Sequence, residues 1–149
     1  MTADPLLAQS AVDRLVSSAH ELIIEGESYR RRRTVHMASA GKLFRRLKAA
    51  RLDNTLDYEM RRLAGAELLI LDDFALQPLD ATETADFYQL CVERHQKAST
   101  IATSNRTAEE WLSMMADPLL AQSAVDRLVS TAHELIIDCL LYTSDAADE

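Results

Sequence analysis

A short run of aliphatic residues constrains the fold of this chain more than any other feature. The segment Leu68–Asp73 reads LLILDD, and four consecutive aliphatic side chains are typical of a strand buried on both faces of a parallel sheet. Two further candidate strands, Thr34–Ala38 and Ser99–Thr103, lie before and after it. Because candidate helices separate the three strands, the sequence predicts an α/β fold with a parallel sheet and flanking helices.

Four helices are predicted in the same part of the chain from the spacing of apolar residues and from capping residues. The first begins after Ser39 and runs to about Leu52, and the second spans Thr55–Leu63. The third follows a capping-box pattern that begins at Asp80, and a short fourth helix spans Ala108–Met115. These helices are expected to flank the sheet and to bury its aliphatic side chains.

The composition is typical of a globular protein of one domain. Of the 149 residues, 48% are hydrophobic and 27% are charged, which argues against disorder. No apolar run approaches the roughly 20 residues needed to span a bilayer, and the N-terminus does not resemble a signal peptide. The two cysteines do not form a disulfide framework. We therefore expect a cytoplasmic protein that does not contact a membrane.

Charge is unevenly distributed along the chain. The formal net charge is −8, yet residues 30–64 carry eleven basic and three acidic side chains. A basic block of this kind can contact the phosphates of a nucleic acid, and a solvated helix face is the alternative. Phosphate contacts would give salt-sensitive affinity that does not depend on DNA sequence. The candidate DNA contacts are Arg31, Arg32, Arg33, Arg45, Arg46 and Lys48.

One segment of the chain occurs twice. Ala3–Ile24 and Ala116–Ile137 are identical at 21 of 22 positions, at an offset of 113 residues. In each copy an aspartate followed by proline predicts the start of an amphipathic helix, and the closing Glu-Leu-Ile-Ile predicts a strand at 21–24 and 134–137. Solenoid repeats are more numerous and more divergent, so this pair indicates a recent duplication or an assembly error.

Polar residues at the ends of two predicted strands are candidates for chemistry. Asp72 and Asp73 end a buried strand, where α/β sheets place ligands, and two carboxylates suit Mg²⁺ held through water while the second carboxylate orients or deprotonates a water. Asn105 follows another strand at the same edge, where an amide can orient a water or contact a γ-phosphate. The alternative for these residues is a structural role in the turn that follows each strand.

One arginine is a candidate for a contact between subunits. Arg127 lies on the predicted amphipathic helix of the second copy, beside Asp126. From there it could reach the phosphate of a nucleotide bound to a neighbouring subunit. A local pair with an acid is the more common outcome for a surface arginine.

Several of these segments together resemble the IstB-like ATP-binding proteins. These are helper ATPases of a bacterial insertion-sequence family, of the AAA+ class and related to the helicase loader DnaC. The resemblance runs from about Arg31 to Ile137 and includes RRRTVHMASAGKLFRRLKAARLDNTLD, LLILDD, TSNR and VDRL. It implies a P-loop NTPase fold that binds ATP and Mg²⁺ and forms homo-oligomers. It also implies DNA binding without sequence preference and a transposase as a partner.

The resemblance implies roles for individual residues. LLILDD is similar to a Walker B strand, so Asp72 would be the Mg²⁺ partner and Asp73 the catalytic carboxylate. TSNR resembles the end of a sensor-1 strand, in which Asn105 would sense the γ-phosphate. Arg127 in VDRL resembles the arginine finger that acts on the nucleotide of a neighbouring subunit.

One part of the family pattern is missing from this sequence. A strand, the Walker A P-loop and a helix precede RRRTVHM in the family, whereas residues 1–30 here resemble the family's C-terminal end, as a displaced duplicate. The three glycines, Gly26, Gly41 and Gly65, lie too far apart for a glycine-rich phosphate loop. We therefore expect a partial AAA+ core at 31–138 that lacks the central Walker A strand and is marginally stable as a monomer.

The last eleven residues do not share the character of the rest of the chain. Residues 139–149 read CLLYTSDAADE and resemble a translated sequencing adapter. A disordered acidic tail is the alternative. We therefore leave this segment out of the predicted fold.

Two functions of different classes follow from these features. The first is an ATP-dependent, DNA-binding helper of transposition. The second is a non-catalytic fragment that binds DNA or oligomerises, and a relative of the DnaC-like helicase loaders is a further alternative within the resemblance. The missing P-loop distinguishes the ATP-dependent helper from the non-catalytic fragment. Without the backbone amides and lysine of that loop, the β- and γ-phosphates of ATP lose their main contacts. Whether the chain is an enzyme is therefore left open by its sequence.

Overall fold

The computed structural model describes residues 33–137, and the described residues up to His133 belong to one compact unit. Within this part of the chain, strands and helices alternate in the predicted order, and the ends of the elements lie within a few residues of their predicted positions. The elements are β1 (Val35–Ser39), α1 (Ala40–Leu52), α2 (Leu56–Gly65), β2 (Leu68–Asp72), α3 (Ala81–Arg94), β3 (Ser99–Ala102), α4 (Ala108–Ser113) and α5 (Pro118–Val129).

The three described strands form a parallel sheet in the order β1-β2-β3. Ser39 lies opposite Asp72 at the end of the β1–β2 pair, and Leu71 lies opposite Ala102 in the β2–β3 pair. The prediction of a parallel α/β sheet is therefore confirmed. Because the strands run in the same direction, their carboxyl ends meet at one edge, where open α/β sheets bind ligands.

The two faces of β2 differ in burial. Leu69 and Leu71 are each 1% exposed and pack in the hydrophobic core with Phe74. Leu68 and Ile70, which alternate with them on the opposite face, are only half-buried. The expectation that the strand is buried on both faces therefore holds for one face only, because the described helices contribute their buried residues to the core that contains Leu69 and Leu71.

The predicted helix starts are confirmed in detail at two positions. At the start of α3, Asp80 and Glu83 form a capping box in which each side chain accepts a hydrogen bond from the other residue's backbone N–H. At the start of α5, the Asp117 carboxylate accepts hydrogen bonds from two backbone N–H groups, and Pro118 occupies the first helical turn. These caps satisfy backbone donors that a helix leaves unpaired at its N-terminus.

A buried arginine joins α2, α3 and β3. Arg94 is 3% exposed, and its guanidinium donates hydrogen bonds to the backbone oxygens of Leu63 and Ala66 at 2.7 Å each and of Ser99 at 2.5 Å. Its Nε donates to Thr100 Oγ1 at 3.0 Å. Burial lowers the pKa of Arg94 from its ordinary value, yet arginine remains protonated in proteins. The positive charge therefore lies among the carbonyl oxygens at the end of α2, the negative end of that helix dipole.

One predicted element is wrong in the described part of the chain. Residues 134–137 form no strand, and Leu135 and Ile136 are 74% and 78% exposed. A short strand requires a neighbour to pair its backbone groups, and aliphatic composition alone does not supply one. The equivalent strand at 21–24, the first helical copy within Ala3–Ile24, the candidates Arg31 and Arg32, and the segment 139–149 lie outside the described residues.

None of the helices within residues 33–137 is both long and apolar enough to cross a membrane.

Candidate functional site

The carboxyl end of β2 carries the predicted aspartate pair, and the threonine that follows β3 forms hydrogen bonds with both residues. Thr103 follows β3 and lies beside Asp72, because Leu71 and Ala102 are opposite each other in the sheet. Its hydroxyl donates a 2.5 Å hydrogen bond to Asp72 Oδ1 and accepts a 3.1 Å hydrogen bond from the backbone N–H of Asp73. Thr103 therefore fixes the Asp72 carboxylate relative to the turn that begins at Asp73.

The turn after β2 has an uncommon backbone conformation. Asp73 and Ala75 have φ values of 53° and 57°, in the left-handed region. Aspartate visits this region more readily than most residues because its short side chain can bond locally, whereas alanine has no such compensation. Asp73 is exposed, so its carboxylate is accessible at the strand-end edge of the sheet. Backbone strain of this kind is often found at functional sites.

Ser104 ties the turn after β2 to the loop after β3. Its hydroxyl donates to the backbone oxygen of Phe74 at 2.6 Å. The Ser104 Oγ in turn accepts hydrogen bonds from the backbone N–H of Arg106 at 3.1 Å and from Trp111 Nε1 at 3.0 Å. Asn105 lies between these anchored residues and is exposed. The predicted residues Asp72, Asp73 and Asn105 therefore lie on adjoining strand ends.

Thr103 and Ser104 are not predicted from the sequence as functional residues. Their importance depends on the register between β2 and β3, which lie about 30 positions apart in sequence. The available signal is the run of polar residues directly after a strand that neighbours an acidic strand end. That pattern indicates where polar side chains lie close together, but it does not indicate which of them form hydrogen bonds with each other.

The donor set at this edge fits Mg²⁺. Asp72 and Asp73 supply carboxylate oxygens and Thr103 supplies a hydroxyl, and Mg²⁺ prefers oxygen ligands and keeps several waters. Within residues 33–137, groups of three or more histidine, cysteine, aspartate or glutamate side chains that could hold a metal do not occur. If a magnesium ion were bound here, the Asp72 and Asp73 carboxylates and water would hold it; the magnesium site stays a prediction.

Arg127 occupies a different part of the structure. Its Nη1 donates to the backbone oxygen of Ser123 at 2.9 Å and also to the Ser123 hydroxyl. The guanidinium carbon lies 5.8 Å from the centroid of the Tyr88 ring, a cation–π arrangement. These contacts hold Arg127 on the surface between α5 and α3. Its local partners are thus a serine and an aromatic ring rather than the neighbouring acid.

Lys48 is engaged by two acids that lie far along the sequence. Its Nζ lies 2.5 Å from Asp80 Oδ2 and 2.9 Å from Glu83 Oε1. The hydrogen bond to Asp80 raises the pKa of Lys48, and the hydrogen bond from Lys48 lowers the pKa of Asp80. Because the same two acids form the capping box of α3, Lys48 joins α1 to the start of α3.

The other predicted DNA contacts in the described residues differ in their partners. Arg46 Nη2 lies 3.0 Å from Glu59 Oε2, and Arg33 Nη1 lies 3.8 Å from Glu67 Oε1. Arg45 is exposed and forms no ion pair with any residue from 33 to 137. The basic block is therefore partly neutralised by acids, and among the described candidate contacts Arg45 is the one without an ion pair to residues 33–137.

The glycines within the described residues do not form a phosphate loop. Gly41 lies in the first turn of α1, and Gly65 is the last residue of α2. A phosphate loop requires closely spaced glycines whose backbone amides face a ligand. The described residues therefore combine an acidic strand end at Asp72 and Asp73 with no glycine-rich loop.

Solved structures with a similar fold come from proteins of replication initiation. DnaA from Aquifex aeolicus, solved with AMPPCP, matches with a TM-score of 0.55 at 18% identity, over 65% of this chain and 31% of that one. A DNA replication initiation factor matches with a TM-score of 0.53 at 16% identity, over 83% of this chain and 45% of the other. At this identity the likeness shows the fold alone, that of the DnaA-like AAA+ P-loop proteins.

Relatives in sequence come from insertion sequences. A Mycobacterium tuberculosis protein, named as an ATP-binding protein in an insertion sequence, is 31% identical over 73% of this chain and 44% of its own length. A Sinorhizobium fredii protein with a similar name is 34% identical over 69% of this chain and 42% of its own length. The chain thus spans less than half the length of these curated relatives.

A model of a protein family identifies the same kind of protein as the relatives do, and its match includes all of the described residues. The model of the IstB-like ATP binding proteins matches residues 33–143. This span contains the acidic end of β2, the polar end of β3 and all of α5. Because the match covers more than half of the sequence, the chain belongs to the family of IstB-like ATP binding proteins.

Proposed function

We propose that this chain supplies the magnesium-binding and phosphate-sensing half of the ATP site of a transposition helper that also contacts DNA. The observation that carries this proposal is the bond between Thr103 and Asp72, which joins two polar strand ends at the edge where α/β folds bind ligands. The names of the relatives, ATP-binding proteins of insertion sequences, support the same role. A transposase and further copies of the chain are the proposed protein partners.

Each site residue has a distinct proposed role. Asp72 would hold Mg²⁺ through water, and the exposed Asp73 carboxylate would orient or deprotonate the attacking water. Asn105 would donate its amide to the γ-phosphate. Arg127 would act on a nucleotide bound to a neighbouring subunit, which requires it to exchange its hydrogen bonds to Ser123 for a phosphate.

The first test is ATP turnover by the purified chain. We expect no turnover above background, because the sequence contains no P-loop whose amides and lysine would hold the β- and γ-phosphates. Phosphate release is measured for the wild type and for Asp73→Asn. Turnover in the wild type that disappears in Asp73→Asn would contradict the expectation and would show that the acidic edge is catalytic without the loop.

The second test concerns the basic block and DNA. We expect DNA retention that weakens as salt rises, because each phosphate neutralised by a cation lowers the slope of log affinity against log salt by about 0.9. Replacing both Arg33 and Arg45 with glutamine should therefore make this negative slope shallower by about 2. Lys97→Gln, an exposed cation outside the block, serves as the control and should not change the slope.

Variants within the block sharpen the same measurement. Arg46 and Lys48 lie in ion pairs with acids, so replacing either with glutamine should alter the slope less than Arg45→Gln. Glutamine variants at Arg31, Arg32 and Arg33 test the arginine run directly. A salt dependence that none of these variants changes would refute the proposed contact between the basic block and DNA.

The second candidate function is a non-catalytic fragment that binds DNA or oligomerises. The absence of a glycine-rich loop from the sequence favours it over catalysis. A role as a DnaC-like helicase-loader relative is compatible with the same motifs. DNA retention without ATP turnover would support the non-catalytic function, and loss of both would leave oligomerisation as its remaining activity.

A further inference from the structure

A cavity between β1, α1 and α2 is separate from the strand-end edge that carries Asp72. It has a volume of about 240 Å³, and buried aliphatic side chains such as Leu47 and Leu69 form part of its lining. Four basic side chains also line it: His36 from β1, Lys42 and Arg46 from α1, and Arg62 from α2. The cavity thus combines an apolar surface with a cluster of nitrogen donors.

The charges around the cavity are not fully balanced. Glu59 Oε2 lies 3.0 Å from Arg46 Nη2 and 3.2 Å from Arg62 Nη2, so one carboxylate serves two guanidinium groups. Lys42 is exposed and forms no ion pair with residues 33–137. Three cations and one carboxylate leave a net charge of +2 at the cavity.

One donor of Arg62 is also unmatched. Its Nε is buried and has no hydrogen-bond acceptor within the described residues. A buried donor without an acceptor destabilises the structure that contains it. A ligand with anionic oxygens would draw the guanidinium towards it and satisfy the remaining donors, because arginine binds phosphate through paired N–H groups.

The size of the cavity limits the ligand. Sites for drug-sized molecules occupy roughly 300–1,000 Å³, and this cavity is smaller, at about 240 Å³. It is therefore large enough for one ring system, and the rest of a longer ligand would remain outside it. A flat ring can lie on aliphatic side chains or on the planes of arginine guanidinium groups, while an attached anion remains at the cationic rim.

We propose that this cavity binds one nucleoside phosphate unit, with its ring against the aliphatic lining and its phosphate at Lys42 and Arg62. The unit can be part of a single DNA strand, in which case the proposal rests on the DNA contact proposed above, or it can be a free nucleotide. In a duplex the bases are stacked and paired, so the cavity should favour a single strand over a duplex. Electrostatic attraction by the basic block, in contrast, would act equally on the phosphates of a single strand and of a duplex.

Fluorescence anisotropy with the full chain tests this preference, with labelled oligothymidylate and a labelled duplex of equal length as probes. Lys42→Gln should weaken single-strand binding about tenfold, which is the order expected for a lost hydrogen bond to a charged group. Its effect on duplex binding should be smaller and should match that of Arg45→Gln, because both variants remove one charge of the basic block. Arg45→Gln is the matched control, because Arg45 lies on the same helix and does not line the cavity; it should weaken both probes by similar factors.

A second variant tests the cavity without a change of charge. Ala38 lines the cavity, and the larger side chain in Ala38→Leu should fill part of the space that a ligand would occupy. The folded variant, checked by circular dichroism, should lose single-strand affinity as Lys42→Gln does. Equal weakening of both probes by Lys42→Gln would overturn the proposal for DNA, and so would wild-type single-strand binding by folded Ala38→Leu. If Ala38→Leu does not fold, the Lys42→Gln comparison decides.

Equilibrium dialysis with dTMP separates the two sources of the nucleoside phosphate. Saturable dTMP binding that Lys42→Gln weakens would support the cavity as a ligand site. If neither DNA probe binds in the same experiments, only the proposed DNA contact is refuted. Single-strand preference without dTMP binding assigns the cavity to DNA. The absence of both dTMP binding and a Lys42-dependent single-strand preference would refute the cavity as a ligand site.

Discussion

Replacing Arg94 with methionine is expected to lower the free energy of unfolding by about 3–5 kcal/mol, because each buried carbonyl left without a donor costs about 1–3 kcal/mol. Arg94 is 3% exposed and supplies hydrogen bonds to the backbone oxygens of Leu63, Ala66 and Ser99. Methionine has a similar length but no donor, so these oxygens would lose their partner. Domains of this size are stable by only about 5–15 kcal/mol, so the loss would be a large share of the total.

Urea unfolding followed by far-ultraviolet circular dichroism measures this effect. Arg61→Met is the matched control, because Arg61 is exposed on α2 and its replacement should change stability by less than about 0.5 kcal/mol. Arg94→Lys keeps the charge but has three donors on a single atom, so it should fall between the wild type and Arg94→Met. An Arg94→Met variant as stable as Arg61→Met would show that the buried oxygens do not depend on Arg94.

Replacing Phe74 with alanine is expected to lower the free energy of unfolding by about 3–5 kcal/mol, which is the usual range for deleting a buried aromatic side chain. Phe74 is 0% exposed, and its ring centroid lies 4.5 Å from that of Phe87 and 4.9 Å from that of Trp111. The Trp111 contact is edge-on, at 79°, a favourable geometry for aromatic pairs. Alanine would leave a cavity directly beneath the turn that begins at Asp73.

Two control variants show which property of the Phe74 side chain stabilises the fold. One tests its volume against its aromatic contacts, and the other tests its burial against its place in the turn. Phe74→Leu retains most of the volume and should cost less than about 1.5 kcal/mol beyond the lost aromatic contacts. Leu76→Ala removes a side chain from the same turn that is 51% exposed, and should cost much less than Phe74→Ala. Equal losses for Leu76→Ala and Phe74→Ala in urea unfolding would contradict the assignment of Phe74 to the core.

Contacts between residues that are close in sequence are the part of the structure that the sequence predicts best. The capping box at Asp80 and the proline-led start of α5 involve residues within three or four positions of each other, and both are confirmed. The strand predicted at 134–137 is wrong, because aliphatic composition alone does not provide the neighbour that a strand needs. The segment boundaries predicted at residues 30 and 138 stay predictions.

The basic block shows the same dependence on distant residues. From the sequence, Arg45, Arg46 and Lys48 are equivalent candidates for a phosphate contact. In the structure, Lys48 meets Asp80 and Glu83 more than 30 positions away, whereas Arg45 has no acidic partner among residues 33–137. The relative availability of these cations is therefore a property of the packing of α1.

The sequence by itself determined the class of fold and the position of the two aspartates at a strand end, because an aliphatic run followed by two aspartates is recognisable without knowledge of its neighbours. Only the tertiary structure decided that Thr103 bonds Asp72, that Ser104 joins the two loops and that Arg94 binds the end of α2. Each of these contacts joins residues about 30 positions apart. Their pairing follows from the register of parallel strands and the docking of helices, and a local pattern does not encode either.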